Sequence, residues 1–285
     1  VAPASAGAAA RANAPPAVGR DLLALTVATK ADEPGLRMML RTAEEAGVLV
    51  WVRGLDSPAV RRWGDFGLKL RALEDAARRA WDNDTLVLMV DAYDVLFAPL
   101  ANAANLRARF EALGWPIVLA AEQRCESDSC FGGGGATNGE SHPPQPYLNS
   151  GLLLGRAGAL RELFARHTWQ DPVNDQLWWG RVWTEEPTKV LVDTARRLFA
   201  CPSHSVDVGG ASVALAASSV AERPRPELWL RRGLAVHAVG PAGEKRSEPL
   251  VLHFPGVARP LLEPTYRELV PEAVSAGAPS SGPSA

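Results

Sequence analysis

Several features common in binding proteins are missing from this 285-residue sequence. Its formal net charge is -2 and no long basic run stands out, so the electrostatic footprint of a nucleic-acid binder is absent. No apolar run reaches the roughly 20 residues that a membrane-crossing helix needs. Cysteine is scarce: Cys125, Cys130 and Cys201 are all there is. With no second pair at ligand spacing, a zinc site is disfavoured. One disulfide with a free thiol, or three separate thiols, both fit these three positions. What is plentiful is apolar residues, 47% of the chain, enough for a substantial core.

The ends lack periodicity. Residues 1–19 are rich in Ala, Pro and Gly and read as a flexible leader; 271–285 read as a disordered tail. The folded body is expected over 20–270 as a single domain. Within it, strand and helix signals alternate. Apolar strands are expected at 21–29, 48–52, 85–90 and 116–121. Helical spacing is expected at 34–47, 67–81 and 100–114. Three strand–helix units followed by a fourth strand predict an α/β fold with a mainly parallel central sheet flanked by helices. Ligands in such sheets sit beyond the carboxyl ends of the strands. That rule puts Thr29, Asp91, Asp94 and Glu122 at one rim. No glycine-rich dinucleotide or P-loop motif stands at that rim, so those two nucleotide sites are disfavoured.

The rim does carry paired carboxylates. "DTLVLMVDAYDVLF" (84–97) is an apolar strand closing on Asp91 and Asp94. Two carboxylates together repel unless a cation or proton relieves them. Mg²⁺ or Mn²⁺ does so, completing its shell with phosphate oxygens. A helix-capping aspartate beside a turn aspartate is the plainer alternative. Three more segments bear polar groups: "PYLNSGLLLG" with Asn149, "DPVNDQLWWGRVW" with Asp175, and "LVLHFPG" with His253 and Gly256. Each also has an ordinary reading, His253 as a core histidine and Asp175 as a helix N-terminal charge. Of the tryptophans, Trp179 and Trp183 share a helix face, and Trp178 is expected to be the more exposed.

In this order the segments resemble the glycosyltransferase domain of the procollagen-lysine hydroxylase/glycosyltransferase family, over most of 21–257. The motifs are "VDAYDVLF", "YLNSGLLLG", "VNDQLWWGRVW" and "VLHFPG". The resemblance implies a GT-A-like, Rossmann-type sandwich using Mn²⁺ (or Mg²⁺) and a UDP-sugar. Asp91, Asp94 and His253 would hold the metal. Thr29, Lys69, Tyr93, Asp91 and Gly256 would contact the donor nucleotide. Asn149 and Asp175 would face the sugar or acceptor as catalytic groups. The donor would be UDP-glucose or UDP-galactose. The acceptor would be a hydroxylated or glycosylated protein, such as hydroxylysine or galactosyl-hydroxylysine of a collagen-like chain.

Such chemistry implies the secretory pathway lumen (endoplasmic reticulum or Golgi) or secretion, and the Asn83-Asp84-Thr85 acceptor pattern leans the same way. The chain departs from the family pattern in three places. Asn174 replaces a carboxylate, 122–147 is a Gly/Pro-rich replacement, and Arg259 is the nearest cation after Gly256. Two other readings compete: a catalytically inactive UDP-binding module, and a metal-dependent phosphoryl or nucleotidyl transfer enzyme.

Overall fold

The computed structural model describes residues 21–55, 66–122, 147–170, 172–201, 205–208, 211–214 and 249–270. The expected leader, the tail, and the 122–147 segment beyond Glu122 and before Tyr147, with Cys125 and Cys130, lie outside the described residues. The first half alternates: β1 (Leu22–Val27), α1 (Pro34–Glu45), β2 (Val50–Arg53), α2 (Gly67–Arg79), β3 (Leu86–Asp91). A short β4 (Val95–Phe97) precedes α3 (Ala103–Leu113), β5 (Ile117–Glu122) and β6 (Tyr147–Arg156). Then come α4 (Ala157–Arg166), α5 (Asp175–Glu185), β7 (Val190–Asp193) and β8 (Phe199–Ala200). The antiparallel pair β9 (Ser205–Val208) and β10 (Ala211–Ala214) follows. β11 (Val251–His253), a 3₁₀ turn (Gly256–Leu261) and α6 (Leu262–Leu269) complete the described chain.

The central sheet has the order β2-β1-β3-β6-β5-β7. It is mostly parallel, as the strand–helix alternation predicts. The exception is β6, which runs antiparallel to both β3 and β5 and separates them. Sequence pattern does not show this, because a strand buried on both faces reads as a continuous apolar run whichever way it points.

Alternate residues of β3 explain that run. Leu86, Leu88 and Val90 enter the core on one face, with Met39 and Phe110. Val87 and Met89 enter the core on the other, with Leu70, Leu73 and Leu160. Both tryptophans at the start of α5 are interior. Trp178 and Trp179 are buried, and Trp178 stacks on Phe164 at 5.3 Å. The expected exposure of Trp178 is thus overturned; Trp183 on the next turn is the half-buried one. The reason is that α5 lies against the sheet with Phe164 of α4, so the face holding Trp178 is the covered one.

Local signals set the helix ends. Pro34 opens α1. Asn102 accepts the Asn105 N–H and caps α3, which ends on left-handed Gly114. Asn174 accepts from the N–H groups of Gln176 and Leu177 and caps α5. The residue that departs from the family's acidic run therefore has a structural task here.

A second, three-stranded sheet has the order β4-β11-β8. β11 runs antiparallel to β4, with His253 opposite Val95. This pairing brings the late histidine to the end of β3. One irregularity lies close by: Leu119 faces Leu153 whereas Ala120 faces Asn149. Ser150, Gly151 and Leu152 thus bulge away from β5, and bulges re-aim side chains beside functional sites.

Leu88 is fully buried at the centre of β3. Leu88→Ala is expected to cost about 2–5 kcal/mol, read from urea unfolding of the whole chain. A change near zero would contradict the two-faced core.

Candidate active site

The site is built where β3 stops. Asp91 is its last residue, and Asp94 precedes β4 after a short turn. The turn is held on both sides. Phe254 N–H donates to the Asp94 carbonyl at 2.8 Å. The Tyr93 hydroxyl accepts the backbone N–H groups of Thr29 at 2.6 Å and Lys30 at 2.8 Å. Tyr93 therefore pins the exit of β1 to the exit of β3.

His253 arrives from β11 and is 2% exposed. Its Nε2 lies 3.6 Å from Asp91 Oδ2 and 3.4 Å from Asp94 Oδ1. Ligand atoms of these three side chains all fall within 4.8 Å of one another. Nε2 is buried and has no hydrogen-bond partner among the described residues. A buried polar atom left in that state is costly. The three residues fit a divalent cation: two hard carboxylate oxygens and an imidazole nitrogen converge on one point.

Electrostatics favour positive charge there. Burial alone would lower the His253 pKa, but the Asp94 carboxylate and, after it, Cys201 together offset it, and the value is held well above the ordinary one. Burial pushes Asp91 up, against the charges of Lys69 and His253. Asp94 is likewise penalised by burial, yet the positive charge of His253 brings it below the ordinary carboxylate value.

Lys69, in the first turn of α2, supplies a fixed cation on the other side of Asp91. Its Nζ lies 2.7 Å from Asp91 Oδ1 and 2.7 Å from Asp175 Oδ2. Burial works against its charge. The carboxylates of Asp175 and Asp91 prevail and raise the ammonium pKa above its ordinary value. Asp175 itself is buried at the first position of α5, where the helix dipole also favours an anion.

The structure thus brings Asp91, Asp94, His253, Lys69, Asp175 and Asn149 together, with Thr29 and Tyr93 at one edge. Asn149 is 4% exposed and lies behind His253, with its Oδ1 3.0 Å from His253 Nδ1. Gly256 follows the His253 strand with φ of 52°, in the left-handed region, and opens the 3₁₀ turn. Arg259 in that turn pairs with Glu33 at 2.6 Å.

Three contributors have tasks that the sequence does not reveal. Glu122 ends β5 and accepts hydrogen bonds from Asn149 and Gln176; its only signal is a carboxylate at a strand end. Buried Cys201 places Sγ 3.8 Å from His253 Nδ1. Asp193 accepts the backbone N–H groups of Arg197, Leu198 and Phe199 and so shapes the turn into β8. Nothing in the local sequence marks the last two.

Gly151 explains the glycine of the "LNSG" motif. A Cβ there would lie 2.2 Å from His253 Cε1 and 2.7 Å from Asp91 Oδ2. Gly151→Ala is expected to push His253 aside, costing about 1–3 kcal/mol in stability. Urea unfolding and Mn²⁺ titration of the variant test this together; wild-type values in both would refute the crowding. Lys69→Met should destabilise the protein in chelator by about 3 kcal/mol, because it leaves the carboxylates of Asp91 and Asp175 without their cation. Thermal unfolding at neutral pH gives the measurement, and an unchanged midpoint would remove Lys69 from the charge balance.

Comparison with known proteins agrees with this architecture. The sequence model of the PLOD GT domain matches residues 19–209. Cattle procollagen-lysine,2-oxoglutarate 5-dioxygenase 1 is 30% identical over 191 residues, covering 63% of this chain and 25% of the cattle protein. The rat multifunctional procollagen lysine hydroxylase and glycosyltransferase LH3 is 28% identical over 191 residues, covering 62% of this chain and 24% of that protein. The chain therefore spans about a quarter of the length of these relatives. Among solved structures, a glycosyltransferase involved in glycosylation of the major capsid of PBCV-1 superposes with a TM-score of 0.50. It shares 11% identity, with 87% of this chain and 99% of that one covered, so the likeness is one of fold. With the family match spanning well over half the sequence and the mostly parallel sheet of a GT-A glycosyltransferase beneath it, the chain belongs to the PLOD GT domain family of glycosyltransferases.

Proposed function

We propose that this domain moves a hexose, glucose or galactose, from a UDP-sugar to a hydroxyl acceptor of the hydroxylysine or galactosyl-hydroxylysine class, as found on collagen-like proteins. One observation carries the nucleotide-sugar reading. The buried Nε2 of His253 has no hydrogen-bond partner among the described residues and faces two carboxylates at 3.4 and 3.6 Å. That arrangement suits a cation holding a diphosphate better than it suits a packed core. The acceptor class rests on the names of the procollagen relatives.

Asp91, Asp94 and His253 would hold Mn²⁺ or Mg²⁺. When bound, that ion supplies neutralisation of the negative charge growing on the UDP leaving group. Lys69 keeps a second positive charge beside Asp91, where it offsets the carboxylates and would help neutralise the donor's phosphates. Its pairing with Asp175 also holds that carboxylate in place at the start of α5. Asp175 is assigned to accept a hydrogen bond from a donor-sugar hydroxyl, or the proton of the attacking hydroxyl. Thr29 and Tyr93 form the nucleotide edge: the Tyr93 hydroxyl is spent on the β1 exit, which leaves the ring to lie against the base. Gly256 lets the segment after His253 turn close to the donor. Such an acceptor places the reaction in the secretory pathway lumen or outside the cell.

Mn²⁺ together with UDP should raise the melting temperature more than either alone. Asp91→Ala and Asp94→Ala should each abolish Mn²⁺-dependent release of UDP from UDP-glucose or UDP-galactose while the variants stay folded. Full activity in both would remove the metal assignment. Stabilisation by UDP with no UDP release would leave a binding module, and turnover of nucleoside triphosphates instead would point to phosphoryl transfer.

A further inference from the structure

The contacts behind His253 bear on how it is held, and their meaning rests on reading Asp91, Asp94 and His253 as a cation site. His253 Nδ1 lies 3.0 Å from Asn149 Oδ1. Two other groups decide which way the Asn149 amide faces. The Gly151 backbone N–H, which can only donate, is 2.9 Å from the same Oδ1. On the far side, Asn149 Nδ2 donates to the Glu122 carboxylate at 3.1 Å. Both neighbours put the amide oxygen toward His253. A carbonyl oxygen has no proton to give, so the shared proton belongs to Nδ1. With Nδ1 holding its proton, the neutral form of the ring that can ligate a cation carries its lone pair on Nε2. That is the atom facing Asp91 and Asp94 without a hydrogen bond.

We propose that Glu122 and Asn149 are positioning residues for the cation site: Glu122 fixes the Asn149 amide, and Asn149 fixes His253 with Nδ1 as donor and Nε2 as ligand. The bulge in β6 makes this possible, because the Gly151 N–H that it turns inward is the group that orients Asn149. Glu122 does a second thing. It also accepts from Gln176 Nε2 at 3.4 Å, one residue beyond Asp175. One carboxylate thereby steadies both the His253 ligand and the start of α5. Hydrogen-bond partners behind a ligating histidine fix its tautomer and ring orientation in just this way.

The rival task for Asn149 is direct contact with the sugar, and the two tasks differ in what they disturb. A sugar contact changes KM or kcat and leaves metal affinity alone. A positioning role changes the affinity for Mn²⁺ itself, measured by calorimetry on the full chain without any sugar donor. Asn149→Leu is expected to weaken Mn²⁺ binding about 10- to 100-fold. A second variant guards against misfolding: the polarity swap Glu122→Gln with Asn149→Asp. In it the new amide donates to the new carboxylate, which still accepts from His253 Nδ1 and from Gly151. Net charge is unchanged, and Gln176 keeps an acceptor. The swap should bind Mn²⁺ near the wild-type affinity.

Histidine side-chain ¹⁵N spectra of the Mg²⁺-loaded protein should show a protonated Nδ1 and a bare Nε2 in wild type and swap alike. Unchanged Mn²⁺ affinity in Asn149→Leu, a folded swap variant that no longer binds Mn²⁺, or a protonated Nε2 would each overturn the proposal. Wild type that binds no Mn²⁺ at all would defeat the cation-site reading beneath it; wild-type binding that survives in Asn149→Leu defeats the positioning role alone.

Discussion

Crowded negative charge at the end of a buried strand is the constraint on which the rest of the site depends. Asp91 and Asp94, from the end of β3 and the turn after it, and Asp175, from the start of α5, converge on one volume. Each would be costly there alone, since burial disfavours the charged form. The fold answers with cations on two sides. Lys69 bridges Asp91 and Asp175 from the start of α2, and His253 faces Asp91 and Asp94 from the end of β11. The balance is incomplete at Nε2, where the proposed metal ion would sit.

Behind this cluster lies a hydrogen-bonded layer that gives it shape. The β6 bulge, the Asn149 amide and the Glu122 carboxylate form a continuous run of contacts ending on His253 Nδ1. Through Gln176 the same run reaches α5 and the Lys69–Asp175 pair. The site is thus close to a ring of polar contacts, and its members come from β3, β5, β6, β11, α2 and α5. Gly151 sits inside the ring with no room for a side chain.

Much of the fold was legible because its causes are local. The alternation of β3 between two cores produces the unbroken apolar run that marks a doubly covered strand. Proline, asparagine and glycine stand where helices start and stop. Other features had no local cause. The antiparallel direction of β6 leaves no trace in its composition. The burial of Trp178 depends on which face of α5 meets Phe164, and helical spacing alone does not choose that face. Asp193 and Cys201 look ordinary in sequence, and matter because of what folds against them.

The sequence by itself determined the strand–helix order, the carboxylates at the end of β3 and the motif set that marks the family. Residue type and spacing along one stretch of chain are enough for these. Only the tertiary structure decided that His253 faces Asp91 and Asp94, that Lys69 spans Asp91 and Asp175, and that Asn149 stands behind His253. Those contacts join residues from about 20 to more than 160 positions apart. They exist because β11 pairs with β4 and β6 inserts beside β3. Strand pairing of that kind is fixed by burying two faces of a sheet at once, which no single segment encodes.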